Sequence, residues 1–322
     1  MYKRQNDDIY LTLEDEQNCV SKSFFVYVCS SLSYALRTMR NFTYLIITIS
    51  ALASFFSCDD DNWIRISEER IYSISGVSAF NNGWLVVHDN KMVDQPRISL
   101  LSKENQLKKL RWPLSLLPYD LEAIHSIPNY ENQYVVMEST GKCYRILVGP
   151  DTEQIEVKGE FKLPGLSESM NLEGFALIEN NETLKVFYGD RGSDSRPSTL
   201  FFADYNVQLD EVTVVRSYSF SLLEDMSDKR SIADLVFDKK GNLWSAATSD
   251  PGNDGPFETR LFRVGKMTEG GSFSLTRPMK SSKTFENEKV EAMTTYKNGI
   301  LLLTDNENFG SSRYFISISK LL

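Results

Sequence analysis

The sequence predicts an all-β chain in which one four-stranded unit repeats around a closed ring, and three observations carry that prediction. The stretch Ile74–Asp89, ISGVSAFNNGWLVVHD, returns near the far end of the chain as Val290–Asp305, VEAMTTYKNGILLLTD, without a gap. From Trp63 onward, short runs rich in Val, Ile, Leu, Phe and Tyr alternate with clusters of Gly, Asn, Asp, Ser and Pro, the pattern of short antiparallel strands. Further copies of the opening unit lie between the two ends, at intervals of 45–60 residues, and a period of that size denotes a stacked or circular repeat array.

The copies follow in order. Copy one opens at Ile74 and continues with strands near Arg97–Leu101 and Leu107–Trp112. Copy two opens with DLEAIHSIP at Asp120, then QYVVMES, KCYRILV and QIEVKGEFKLP. Copy three opens with NLEGFALI at Asn171, then LKVFYGD, STLFFADY and EVTVVRSYSF. Copy four opens with SIADLVFDKKG at Ser231, then NLWSAAT, TRLFRVG and SFSLTRP. Copy five opens with KVEAMTTYKNG at Lys289, then ILLLTD and RYFISIS, and stops one strand short. Each copy reads as the four-stranded blade of a β-propeller. The direct expectation is five blades, with the missing outer strand of blade five supplied by residues 62–71, which have no other home. Six blades would need a spare segment of blade length, and none is left. Such a closure removes sheet edges that otherwise invite aggregation. No long stretch has helical periodicity; the best helical candidate is one or two turns at Leu222–Arg230.

The N-terminus has a different texture. Met39-Arg40-Asn41 precedes an apolar run, Phe42–Phe56, followed by Ser57-Cys58 and an Asp triplet. A short positive start, a short apolar core and a small residue before the break describe a signal peptide, and the run is too short to span a bilayer comfortably. With Cys58 directly after Ser57, residues 39–57 resemble a bacterial lipoprotein signal, although Phe55 and Phe56 depart from its usual box. The acidic triplet resembles the export tag of Bacteroidetes surface lipoproteins. The resemblance implies a lipidated Cys58 and an anchor in the outer membrane or cell surface; a membrane anchor or an ordinary cleaved signal is the plainer alternative. Translation is then expected to begin at Met39, with 1–38 an upstream extension and 58–322 a single propeller domain, expected to be monomeric.

The chain of 322 residues is 41% hydrophobic and 25% charged, ample for one large core, and its net charge of -9 argues against nucleic acid as a partner. With only two histidines, His88 and His125, and no CxxC spacing among four cysteines, a zinc site is not signalled. There is no GxSxG elbow, P-loop, HExxH or GxGxxG after a strand.

Alignment of the copies puts Ser75, Glu122, Glu173, Ala233 and Glu291 at one position, the start of each first strand. First strands line the central channel of a propeller, so these side chains should converge at one mouth. Carboxylates brought together in a poorly solvated place repel, so either some are protonated or a cation sits among them. Hard oxygen donors favour calcium, with magnesium the weaker candidate. The plainer alternative has the glutamates hydrogen-bonding the backbone of neighbouring blades. A second ring follows from the ends of the second strands, Asp89, Glu138, Asp190 and Asp305, while blade four offers Ala247 in register and Asp250 three residues later. That gap is read as a ligand entrance or as simple drift. Arg191 and Arg196, in the loop after the blade-three second strand, are the candidate anion holders, against the plainer reading of solvated loop arginines. Both histidines are assigned to packing or hydrogen bonding rather than catalysis.

With those residues in place, the chain resembles the calcium-dependent nucleotidases of the apyrase type, five-bladed propellers with a central calcium ion. Ser75 falls at their serine ligand, and Glu122, Glu173 and Glu291 at glutamate ligands. Ala233 departs from the pattern, and GDRGSDSRPSTLFFA matches their arginine-bearing loop only loosely. Phytase-like and SdiA-regulated propellers carry similar openings. The resemblance implies an axial calcium held by Ser75, Glu122, Glu173, Ala233 and Glu291, and hydrolysis of a phosphate ester or anhydride. Asp89, Asp190 or Asp305 would serve as base, and Arg191, Arg196 and Glu138 would hold substrate. The alternatives are a non-catalytic surface module that binds a ligand such as a glycan, and a structural component of a surface complex.

Overall fold

The computed structural model describes residues 63–150, 153–222 and 226–321. The segment 1–38, the expected signal 39–57 and Cys58 lie outside them. The described chain is five antiparallel sheets in sequence order. Strand β1 (Ile64–Ser67) comes first. Blade one is β2 (Gly76–Phe80), β3 (Gly83–Val87), β4 (Ile98–Leu101) and β5 (Leu107–Leu110). Blade two is β6 (Leu121–Ser126), β7 (Gln133–Glu138), β8 (Lys142–Leu147) and β9 (Glu156–Lys162). Blade three is β10 (Leu172–Asn180), β11 (Thr183–Asp190), β12 (Ser198–Asn206) and β13 (Glu211–Phe220). Blade four holds β14 (Lys229–Arg230), β15 (Leu235–Phe237), β16 (Asn242–Ser249), β17 (Glu258–Met267), β18 (Phe273–Leu275) and β19 (Ser281–Glu286). Blade five is β20 (Val290–Tyr296), β21 (Gly299–Thr304) and β22 (Ser311–Ser317). The molecule is a five-bladed β-propeller.

The ring closes as the repeat count requires. β1 pairs antiparallel with β22, Ile64 opposite Arg313, and so becomes the outer strand of blade five. Trp63 anchors it, its ring 5.4 Å from Phe285 and 5.2 Å from Tyr314. Gly310 permits the approach: its φ is +70°, and a Cβ there would lie 2.2 Å from the Ser67 carbonyl oxygen.

The core is five apolar seams, one between each pair of neighbouring blades. Period-two alternation divides each strand between two seams. Val135 and Met137 of β7 face blade three, while Tyr134 and Val136 face blade one. Second strands are therefore buried on both sides, which is why they read as the unbroken runs WLVV, YVVM and ILLL.

Blade four is irregular. β14 and β15 both pair with β16, so the first strand is interrupted over 231–234. β18 and β19 both pair with β17, so the outer strand is also in two pieces, the second being a segment that the repeat pattern leaves unassigned. The helical candidate Leu222–Arg230 falls partly outside the described residues, and its end, Lys229–Arg230, is strand. Arg230 pairs with Thr248, and that ladder overrides the weak helical pattern.

Candidate functional site

The starts of the first strands and the ends of the second strands share one face of the ring. In blades two, three and five the ladder between them slips by one residue at Glu122, at Glu173 and at Glu291. Each glutamate is the extra residue of a β-bulge, a device that re-aims one side chain and leaves its neighbours paired. The next residue is small, Gly76, Ala123, Gly174 and Ala292 in blades one, two, three and five. A Cβ on Gly76 would lie 2.8 Å from the Ala123 Cα, so the first strands touch there. Bulge and small residue together push the glutamates into a common axial mouth.

Blade four breaks this ring through its register. Ala233 is buried in the apolar seam with Val236, Trp244 and Val290. The acid is displaced by one residue to Asp234, and one step along a strand reverses the facing side. Asp234 is buried and accepts from the backbone N–H of Leu235 at 2.7 Å and of Met293 at 2.6 Å, tying blade four to blade five. Burial holds its carboxyl well above the usual range.

The mouth contains cations supplied by the chain itself. Lys289, 1% exposed, places Nζ 2.7 Å from Glu307 Oε1, 3.0 Å from Glu291 Oε1, 3.1 Å from Asp250 Oδ2 and 3.8 Å from Asp305 Oδ2. Burial works against its charge, but the surrounding carboxylates keep the ammonium well above its ordinary pKa. Arg230 Nη2 lies 2.6 Å from Asp250, and its Nη1 is 3.7 Å from Glu173 and 3.8 Å from Glu291. Arg191 Nη1 donates to Glu173 Oε1 at 2.9 Å.

The blades-one-to-three side of the mouth is less satisfied. Ser75 Oγ and Glu173 Oε2 are buried without a hydrogen-bond partner. Glu122 forms no hydrogen bond or ion pair among the described residues; burial first, then the charges of Glu173, Asp120 and Glu291, hold its carboxyl well above the usual range. Asp89 is pushed up to about 7, first by burial and then by Asp305 and Glu307.

The remaining expected residues are engaged. Asp190, fully buried, forms an ion pair with Arg196 and accepts from Asn171 N–H at 2.9 Å. Arg196 also donates to the Ser169 carbonyl at 3.2 Å. Glu138 accepts from Tyr119 N–H at 3.0 Å and Tyr144 O–H at 2.7 Å, pinning the entry to blade two. Asp305 accepts from Glu307 N–H at 2.8 Å. His88 is buried, donating to the Ser73 carbonyl at 2.6 Å and accepting from Ser99 Oγ at 2.9 Å. The arginines expected to hold an anion are thus paired with carboxylates.

The five-point calcium shell implied by the resemblance does not fit these residues. A cation on Glu291 would sit against Lys289 Nζ, and the Ala233 side chain is in the core. Among the described residues no group of three or more His, Cys, Asp or Glu side chains is arranged to hold a metal ion. Lys289, Arg230, Glu307 and Asp120 complete the mouth without being singled out by the repeat alignment, and Asp250, the out-of-register acid of blade four, joins them. The available signal was Lys289 two residues before Glu291, just ahead of β20.

No protein-family model matches the chain, and no curated protein matches its sequence. Solved structures resemble it at low identity. An endo-1,4-beta-xylanase from Bacteroides thetaiotaomicron is 9% identical, with a TM-score of 0.49 over 77% of this chain and 91% of that one. The Bombyx mori GH32 beta-fructofuranosidase is 12% identical, with a TM-score of 0.49 over 79% and 64%. A luciferin-regenerating enzyme is 9% identical, with a TM-score of 0.43 over 80% and 95%.

Proposed function

We propose that the protein is a ligand-binding propeller whose axial mouth, on the side of blades one to three, takes up a small organic cation such as a primary or substituted ammonium. The single observation that carries this reading is the pair of buried unpartnered oxygens, Ser75 Oγ and Glu173 Oε2, in the mouth that also holds the Glu122 carboxyl. A buried oxygen without a partner costs about 1–3 kcal/mol, and N–H donors from a cation would recover that cost at Ser75 and Glu173 while its charge pairs with the Glu122 carboxylate. The chemistry has a precedent within the mouth, where the Lys289 ammonium already satisfies the opposite side. Calorimetric titration with butylammonium and with spermidine tests it, with calcium as the competing occupant. Binding should strengthen as pH rises, because the cation competes with the proton on Glu122, and Glu122→Gln should weaken it at least about tenfold. Binding indifferent to Glu122→Gln would sink the reading, and binding of calcium alone would return the site to a metal.

A second reading, hydrolysis of a phosphate ester or anhydride, is favoured by Asp89, whose carboxyl is pushed up to about 7 by burial and by Asp305 and Glu307 and so suits proton transfer at neutral pH. Phosphate release from nucleoside diphosphates and phosphomonoesters, lost in Asp89→Asn, tests it. Export and lipid anchoring rest on Phe42–Phe56 and Cys58. Radiolabelled palmitate should enter the wild-type chain and not Cys58→Ser.

A further inference from the structure

The side of the mouth formed by blades four and five raises a different question: what neutralises it. Glu291 comes from the bulge of β20, Asp305 from the end of β21, Glu307 from the loop after it, and Asp250 from the end of β16. These carboxylates converge on one point, and the Lys289 Nζ occupies it at 2.7 to 3.8 Å. Calcium binds such oxygens at about 2.3–2.6 Å, so the three nearer carboxylates, now at 2.7 to 3.1 Å, would each close in by less than about 1 Å to meet a metal. An ammonium has three N–H donors, and three carboxylates lie within 3.1 Å of it. The lysine stem is sealed: the side chain is 2% exposed, with Nζ 6.0 Å from the centre of the Phe257 ring. The loops above it are tied together, Asn308 N–H to the Asn253 carbonyl at 3.3 Å and Asn308 Nδ2 to Asp254 at 2.9 Å.

We infer that Lys289 takes the place of a divalent cation on this side of the mouth: its ammonium neutralises the carboxylates of blades four and five, so this side of the ring is metal-independent. The sequence agrees with the geometry. Lys289 lies two residues before Glu291, immediately ahead of β20, so one short segment delivers both the acid and its counter-ion. Arg230 supports it from blade four by linking Asp250, Glu173 and Glu291. Such a device fixes the charge of the mouth permanently, whereas a bound ion leaves with falling ion concentration. The inference does not depend on which ligand blades one to three accept, because it concerns a different set of carboxylates.

The test uses the full chain carrying Glu122→Gln, which disables the side of blades one to three. In that background, melting temperature should be the same in EDTA and in calcium. Adding Lys289→Met leaves the carboxylates without their ammonium and should lower the melting temperature by about 5 °C or more. Calcium should then restore at least half of the loss, with magnesium weaker. If Lys289→Met is too unstable to fold, Lys289→Met with Asp305→Asn removes the most distant of the four carboxylates and gives the same comparison. A melting temperature that falls in EDTA while Lys289 is present overturns the inference. So does a Lys289→Met variant that folds as well as its parent, or one that calcium does not rescue. Failure of butylammonium to bind the wild type, with these calcium results intact, would instead remove only the ligand assignment for blades one to three.

Discussion

Replacing Asp89 by Asn should stabilise the propeller at alkaline pH and leave it unchanged at acid pH. Asp89 lies two residues past β3 at the mouth, and its carboxyl is pushed from 3.8 to about 7 by burial and by the charges of Asp305 and Glu307. A raised carboxylate pKa means that the folded state keeps a proton which the unfolded state has already released. Stability therefore falls as pH rises between 3.8 and about 7, and the cost is fully present above that window. At 1.36 kcal/mol per pH unit, the span amounts to about 4 kcal/mol. Asn keeps the shape and cannot ionise. Urea unfolding of wild type and Asp89→Asn at pH 4, 6 and 8 should give a difference near zero at pH 4, growing to several kcal/mol in favour of the variant at pH 8. A difference that is the same at every pH, or that favours wild type at pH 8, refutes the placement of Asp89 in a carboxylate-crowded mouth. If phosphate release is the activity, the same variant loses it while gaining stability, which separates the two roles.

The opposite sign is expected at His88. Burial lowers its pKa to about 4 from 6.5, so stability is complete above 6.5 and is lost as pH falls towards 4; a span worth about 3 kcal/mol should shrink in His88→Gln, read by unfolding midpoints at pH 4.5 and 7. Arg145 of β8 grips Asp210, at the hairpin of blade three, through Nε at 2.8 Å and Nη2 at 2.9 Å; Arg145→Ala should cost about 2 kcal/mol in urea, and Asp210→Asn in that background should recover part of it because the carboxylate no longer lacks its partner. Trp63→Ala should cost about 2 kcal/mol and Gly310→Ala should act in the same direction, both by loosening β1. Deletion of 63–67 exposes the β22 edge and should convert a single sedimenting species into a concentration-dependent mixture.

Much of the architecture was legible because β-propellers are written in local signals. Alternating apolar runs and turn residues mark the strands, and the return of one unit at a fixed period marks the blades. The closing strand was legible by subtraction, since copy five ended short and residues 62–71 had no other place. Blade four resisted the same reasoning. Its two broken strands keep the apolar content of a regular blade, so the pattern hid the interruption at 231–234 and left Ser281–Glu286 unassigned.

The sequence by itself determined the repeat, the blade count and the positions of Ser75, Glu122, Glu173 and Glu291 at the start of first strands. It also put acid at the ends of the second strands in blades one, two, three and five. Only the tertiary structure decided what those charges meet. Whether converging carboxylates attract a metal, hold protons or pair with the chain's own cations depends on distances between groups far apart along the chain, and no repeat pattern encodes them. Lys289 and Asp250, or Arg191 and Glu173, become partners because the ring brings their segments to one axis. One-residue bulges turn the glutamates inward, and a one-residue displacement in blade four sends its acid to the backbone of blade five. A shift of one residue leaves composition and period almost unchanged, yet it reverses the face on which a side chain sits.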